Sequence, residues 1–543
     1  MSSPDSRLAE WQEIQTRKGV EMKRIIFLVI ASLLVIAFVL PSCAGDGGNG
    51  GEEFDQWITF AIVGPMTEYQ GEYQWWGAEM ACDEINSQTY SGAGGIDVEL
   101  TPYGVKLIQV DTNEIYGTPE EGVAALEAVI DDVDFVVGGF QTEAVTAYRE
   151  VAMDAHRIFM NCGNALASLQ YSVVQDYDRY KYWFKIAAPN ECFLTHSLFM
   201  MTSTIGMLLK QTLKEHEDAV AADYKVDESD KLKVALLVDD VQWDSGFGPY
   251  AQTALPNIGY SLVGTWQVSS TVTDISAELT EIAATKPHVI FTIFSGSLCI
   301  LYSKQRTELG IPAMTIGYNL EGVLKEQWAN TDGKCDGEIM VDTWAEDLQN
   351  TAKTKPFFDA FVAKTGKYPY YPATSYDAIY FLKEAIETVS AAHSWDDIAD
   401  VIDPGNIDAL IQYLETSSYT GTTSKICYYP MPEVDLGDGV YALSEAQVGD
   451  LYDLASYGQI YTQSQWRCES PCGYGPHIAH DLVYGPDYRT AIGSQWQDGH
   501  KVGVWPCDLG DEWDALTDRW GCWNFEYPGT VDVMIPIEGF LAS

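Results

Sequence analysis

Beyond residue 56, short continuous apolar runs alternate with stretches whose apolar side chains recur every three to four positions. Runs of the first kind read as strands buried on both faces, and stretches of the second kind as helices with one covered face. Residues 57–63 (WITFAIV) predict a buried strand ended by Gly64 and Pro65. Residues 74–86 predict a helix with Ala78, Ala81, Cys82 and Ile85 on one side. A strand at 105–110 comes next, and Thr118-Pro119-Glu120 opens a helix to about 131. There Thr118 suits the N-cap, Pro119 the first turn, and Glu121 completes a capping box. Residues 135–137, a helix from Thr142 and residues 158–160 continue the alternation.

The pattern then restarts, with strands at 234–238, 288–293 and 314–317 and helices at 275–284 and 297–309. Two such runs predict an α/β protein of two lobes, each a parallel sheet flanked by helices. Helices at 356–364 and 375–390 are returned to the first lobe, because several crossovers make a hinged cleft. From about residue 428 the chain turns to Tyr, Trp, Gly, Pro and Asp, with short strands at 481–484 and 502–505. The expected division is lobe 1 from 57–185 and 344–427, lobe 2 from 186–343, and an insertion at 428–480. Residues 481–543 complete lobe 2 and the hinge as a loop-rich C-terminal extension. No repeat of solenoid period is present.

Residues 23–43 read KRIIFLVIASLLVIAFVLPSC. The apolar run falls short of the roughly 20 residues that span a bilayer comfortably, and its cationic start and short length describe an export signal. Leu40-Pro41-Ser42-Cys43 resembles the lipobox of prokaryotic lipoproteins, which implies lipidation of Cys43; an uncleaved signal anchor is the alternative. Residues 44–56 form a Gly-rich flexible tether. The polar residues 1–21 precede a second plausible start at Met22 and are set aside. No later apolar run is long enough to cross a membrane, so the body is expected to be soluble and extracytoplasmic.

Charge narrows the partners. A formal charge of −48 argues against nucleic acid and against docking on anionic lipid. Of eleven cysteines, Cys468, Cys472, Cys507 and Cys522 cluster near the C-terminus and are the expected disulfide formers, since export permits oxidation; their connectivity is open. Cys468, Cys472, His477 and His480 do not have a familiar finger spacing, and no metal is expected. Gly92-Ala93-Gly94-Gly95 follows a helix and precedes a strand, the reverse of a nucleotide fingerprint. The acidic stretch 435–445 puts Leu436 at a calcium-ligand position and fails. No nucleophile elbow, zinc-protease motif or P-loop occurs, and neither an enzyme nor a cofactor is expected.

One set of segments resembles a family. Phe60 to Thr67 (FAIVGPMT), Gly77 to Asn86 (GAEMACDEIN), Val137 to Thr142 (VGGFQT), Leu237 to Asp240 (LVDD) and Tyr376-Asp377-Ala378 are similar to type I periplasmic binding proteins of the leucine/isoleucine/valine-binding branch. The resemblance implies a ligand between the lobes, held by loops at the carboxyl ends of strands. It implies Tyr69, Gln70, Phe140, Thr142 and Asn164 from lobe 1, with Thr142 and its helix N-terminus able to receive a carboxylate. Trp243, Phe294, Ser295, Tyr318 and Asn319 are implied from lobe 2, and Trp344 near the returning crossover. Where the branch commonly places acids for a ligand ammonium, this chain has Asn190 and Asn319; Glu68, Asp240 and Asp377 are the substitutes at hand. An amide, a urea-like compound, a carboxylate or an aromatic acid therefore stands beside an amino acid as the expected solute. The implied partners are an ABC permease with separate ATPase subunits and a membrane reached through the lipid, with the protein itself monomeric. A ligand sensor working through a separate signalling partner is the alternative.

Overall fold

The computed structural model describes residues 54–542, apart from 88–93, 188–189, 228, 241–250, 253, 438–439, 452–477, 486–487, 489–490 and 508–526. Cys43 with its signal, Trp243, Cys468, Cys472, His477 and Cys522 lie outside the described residues.

The first sheet holds β1 (Trp57–Gly64), β2 (Ile96–Val98), β3 (Thr101–Asp111), β4 (Phe135–Gly138), β5 (Phe159–Asn161) and β6 (Trp183–Lys185), in the order β2-β3-β1-β4-β5-β6. All pairings are parallel except the β2–β3 hairpin. Register places Val63, Gly138 and Asn161 in one row, so the loops after β1, β4 and β5 leave from one edge. The residues of β1 from Ile58 onward are buried, as its mostly apolar run requires for a strand covered by helices on both faces.

The second sheet contains β7 (Leu232–Asp239), β8 (Tyr260–Val268), β9 (Val289–Phe294), β10 (Met314–Asn319) and β11 (Ile339–Asp342). Two small hairpins follow in the chain, β12 (Tyr419–Thr420) with β13 (Lys425–Ile426) and β14 (Val434–Gly437) with β15 (Val440–Ala442). The sheet is then completed by β16 (Ile492–Gln497) and β17 (His500–Trp505), in the order β17-β16-β11-β10-β9-β7-β8. Strands β7 to β11 run parallel, and β16 and β17 are added antiparallel.

The chain crosses between the sheets three times. It leaves β6 for the helix Glu191–Glu215, which packs on β10. It returns after β11 through the helices Thr354–Thr365 and Ser375–His393, which pack on the first-lobe helix Tyr69–Asn86. It crosses again between Leu482 and β16. At the first and third crossings Asp481 is fully buried, with Lys185 Nζ at 3.8 Å and Asn190 Nδ2 donating at 2.8 Å.

Several expectations change. The helix expected from residue 74 begins at Tyr69, so Tyr69 and Gln70 occupy its first turn. Thr118 makes no side-chain cap, and Glu121 instead accepts from Asn113 Nδ2 at 2.7 Å. Residues 481–484 contribute an isolated bridge, Leu482 with Tyr428, rather than a strand. Among the described residues, no helix is long and apolar enough to cross a membrane.

Candidate functional site

A cleft of about 550 Å³ lies between the lobes at the carboxyl ends of both sheets. Tyr69 and Gln70 enter it from the loop and helix start after β1, and Phe140 and Thr142 from the loop after β4. Across the gap stand Ser295, after β9, and Tyr318, near the end of β10. The cleft brings these six together. Tyr371, from the short helical turn Tyr371–Thr374, closes one end and stacks on Phe140 with ring centroids 5.9 Å apart.

The first-lobe wall is held by its own hydrogen bonds. Gln74 Nε2 donates to Gly139 O at 2.8 Å. Glu114 accepts from the Gln141 backbone N–H and the Tyr148 hydroxyl, both at 3.0 Å, and burial pushes its carboxyl up to about 7. Asn164 is buried beside the cleft, where its Nδ2 donates to Thr142 Oγ1 at 2.8 Å and its Oδ1 accepts from Leu166 N. It orients the threonine rather than lining the cavity. Thr142 opens the helix Thr142–Asp154, whose N-cap Gln141 makes no side-chain cap; the first-turn N–H groups are thus available to an oxygen-bearing ligand.

The second wall is looser. Ser295 is fixed by Asp239, which accepts its N–H at 2.7 Å and its hydroxyl at 3.3 Å. Glu321, half-buried on the cleft, has its carboxyl raised by burial, with no cation beside it to lower it. Burial foremost, and then the Glu321 charge, push the Tyr69 hydroxyl well up. Glu68 and Glu143 also line the cleft; among the described lining residues there is no Lys, Arg or His.

Behind Tyr318 and Tyr371 the cleft continues into an annex of about 30 Å³, lined by Asn319, Tyr370 and Asp342 among others. Asn319 is 1% exposed, and neither its Oδ1 nor its Nδ2 has a hydrogen-bond partner among the described residues.

Other expected residues lie elsewhere. Phe294 is the last residue of β9 and faces the lobe-2 core against Tyr302, because side chains alternate and Ser295 takes the cleft side. Trp344 is fully buried against Phe357. Asn190 serves the crossover through Asp481, and Asp377 is spent on Thr422, accepting from its N–H and hydroxyl. Asp240 meets Gln267 at the surface. His480 is buried, with Trp183 O and Glu415 Oε1 at its two ring nitrogens, and no group of metal-ligating side chains occurs among the described residues. Cys507 is half-buried beside the main core. Sequence reading missed Glu321, Tyr370 and Tyr371. Only the turn after β10 and the Tyr-Pro-Tyr-Tyr-Pro run at 368–372 could have pointed to them.

No curated protein matches by sequence. Solved structures do, at low identity. A putative branched-chain amino acid ABC transporter protein from Silicibacter pomeroyi is 17% identical with TM-score 0.56, covering 83% of this chain and 96% of its own. A solute binding protein of an ABC transporter from R. palustris, in complex with benzoate, is 12% identical with TM-score 0.53, covering 82% and 95%. A leucine binding protein from Thermotoga maritima is 15% identical with TM-score 0.52, covering 82% and 97%. The family profile described as periplasmic binding protein matches residues 58–428, well over half the chain. With two parallel-stranded lobes, three crossings and a cleft at the strand ends, this chain belongs to the periplasmic binding protein family in its type I form, whose members are solute receptors and not enzymes.

Proposed function

We propose that the protein is a receptor that captures a small polar or amphipathic solute between its lobes and presents it to an ABC permease driven by separate ATPase subunits. The observation that carries this reading is the inter-lobe cleft. It is large enough for a small organic molecule, walled by Phe140, Tyr318 and Tyr371, and edged by the uncapped N-terminus of the helix at Thr142. The leucine binding protein and the benzoate complex mark the range of solutes considered, amino acids and carboxylates, and the asparagines at 190 and 319 keep amides and urea-like compounds among the candidates. A lipid on Cys43 would hold the receptor beside its membrane partner at high effective concentration.

The test is a screen of amino acids, amides, amines, carboxylates and nucleosides against the exported chain. A cognate solute raises Tm and lowers the radius of gyration as the lobes close. If no solute moves either quantity, the receptor reading fails. Cys43→Ser in the full chain is expected to shift the protein from the membrane fraction to the soluble fraction.

A further inference from the structure

One aromatic residue of the cleft is unlike the others. Tyr69, Phe140, Tyr318 and Tyr371 are buried or half-buried, whereas Tyr116 lines the same cavity with 78% of its surface in water. A covered tyrosine removes on the order of 150 Å² from water, a gain that Tyr116 leaves untaken.

The turn that carries Tyr116 is firmly built. Asn113 adopts a left-handed φ of 48°. Its N–H donates to Asp111 Oδ1 at 3.0 Å, and its Nδ2 to Glu121 Oε2 at 2.7 Å. Its carbonyl accepts from Gly117 N at 2.7 Å, which closes the turn. Glu114, between them, is buried and accepts from Gln141 N and the Tyr148 hydroxyl. One turn thus ties inward to the loop after β4 and holds Ile115 and Tyr116 at the mouth of the cleft. A left-handed residue and a buried carboxylate both cost free energy, and such costs persist where the geometry they hold matters.

Across the mouth stand Ser270 and Thr271, in the loop after β8. This rim is preformed as well. Val272 N donates to Ser269 O at 3.0 Å, and the hydroxyls of Ser269 and Thr271 are 3.1 Å apart. Neither rim carries a charge, since residues 115–118 read IYGT and 269–273 read SSTVT. In a chain of formal charge −48, two surfaces can meet here without bringing carboxylates together. A hinge motion that narrows the cleft joins the two rims, and neither has to refold.

We propose that Tyr116 is a solute-binding residue of the closed receptor: as the lobes close, its ring comes against Ser270 and Thr271 and covers the solute, so that it governs release. The proposal rests on the receptor reading above and adds a contact made only in the closed state.

Two measurements on the intact protein test it. The first needs no solute. Tyr116→Cys combined with Thr271→Cys, treated with copper-phenanthroline, is expected to form a disulfide between the two introduced thiols, because the free receptor samples closure. Peptide mass identifies the bond. Leu100→Cys with Thr271→Cys is the control and should form none; Leu100 is 88% exposed but sits at the far end of β3 from the cleft.

The second measures solute release by stopped flow, using L-leucine, benzoate and every screened compound that raises Tm. Tyr116→Ala is expected to speed release at least about tenfold, with association changed by less than about threefold. Tyr116→Phe keeps the ring and should stay within about threefold of wild type. Leu100→Ala should release at the wild-type rate. The unliganded Tm should not move in any of these variants, because both side chains are exposed.

Absence of the Tyr116→Cys/Thr271→Cys disulfide overturns the proposal, as does release that Tyr116→Ala leaves unchanged. In either case a solute that raises Tm and lowers the radius of gyration keeps the receptor reading standing. Equal acceleration by Leu100→Ala also overturns it, since the effect would then belong to any exposed apolar side chain. A disulfide that forms while no solute binds the wild type removes the receptor reading, and the role in release falls with it.

Discussion

Two asparagines end strands on opposite walls of the cleft. Asn161 closes β5 in the first lobe and Asn319 closes β10 in the second, and each is 1% exposed. Their bonding is opposite. Asn161 Oδ1 accepts from the N–H groups of Gly163 and Asn164, and its Nδ2 donates to Asn164 O at 3.0 Å. The Asn319 side chain has no hydrogen-bond partner among the described residues. The first asparagine is tied into its loop; the second is buried with its side-chain polar groups unmet. Preorganisation of the first wall lowers the ordering cost of binding.

The first wall breaks most severely at Gly138. Its φ is 126°, and a Cβ there would lie 2.1 Å from Val63 O, a backbone atom that cannot move away without disturbing β1. Gly138→Val is expected to cost about 4 kcal/mol or more and to lower expression of folded protein. Urea unfolding measures this; a loss under about 1 kcal/mol would show that the row of strand ends is less rigid than described.

Glu114 comes next, and its effect depends on pH. Its folded carboxyl is raised from 4.5 to about 7 by burial. The folded state therefore holds a proton that the unfolded state has released between those values, and stability falls as pH rises through this window. Its contribution is complete below about 4.5 and gone above about 7, with a span on the order of 3 kcal/mol. Glu114→Gln should remove this component. The difference in unfolding free energy between wild type and variant then slopes across pH 4.5 to 7 and flattens beyond; parallel profiles would contradict the assignment.

How much of this could be read beforehand also divides by wall. The strands β1, β7 and β9 are continuous apolar runs, visible because parallel strands buried on both faces leave nothing else to be. The helix Glu191–Glu215 was not foreseen, since Thr195, Ser197, Thr202, Ser203 and Thr204 are buried among its apolar residues and leave no polar stripe to give the period. Strand β16 was hidden in the same way: Ser494 and Gln495 are fully buried, the latter donating to Gly337 O and Met534 O. In the site, residues just past strand ends were legible from topology, but facing was not, which is why Phe294 was grouped with Ser295. Tyr370 and Tyr371 come from a turn on the return crossing, whose placement beside the cleft is a long-range feature, and Glu321 from the turn after β10, whose position was visible but not its facing.

The same logic orders the two asparagines. Asn161→Leu should cost about 2 kcal/mol, because Gly163 N and Asn164 N lose their acceptor in a buried loop. It should also weaken binding of any solute, since Asn164 would no longer hold Thr142. Reversion of both effects by Asn161→Asp, which keeps the acceptor, would locate the cause in Oδ1.

Asn319→Leu gives the smallest effect, and its sign carries the comparison. Removing a buried amide that bonds to nothing relieves a desolvation cost and adds apolar contact with Val323 and Val341 across the annex. The unliganded protein is expected to be unchanged or up to about 1 kcal/mol more stable by urea unfolding, the reverse of Asn161→Leu at equal exposure. A loss as large as that at Asn161 would mean that Asn319 has a structural partner in the folded protein. The two walls would then be built alike.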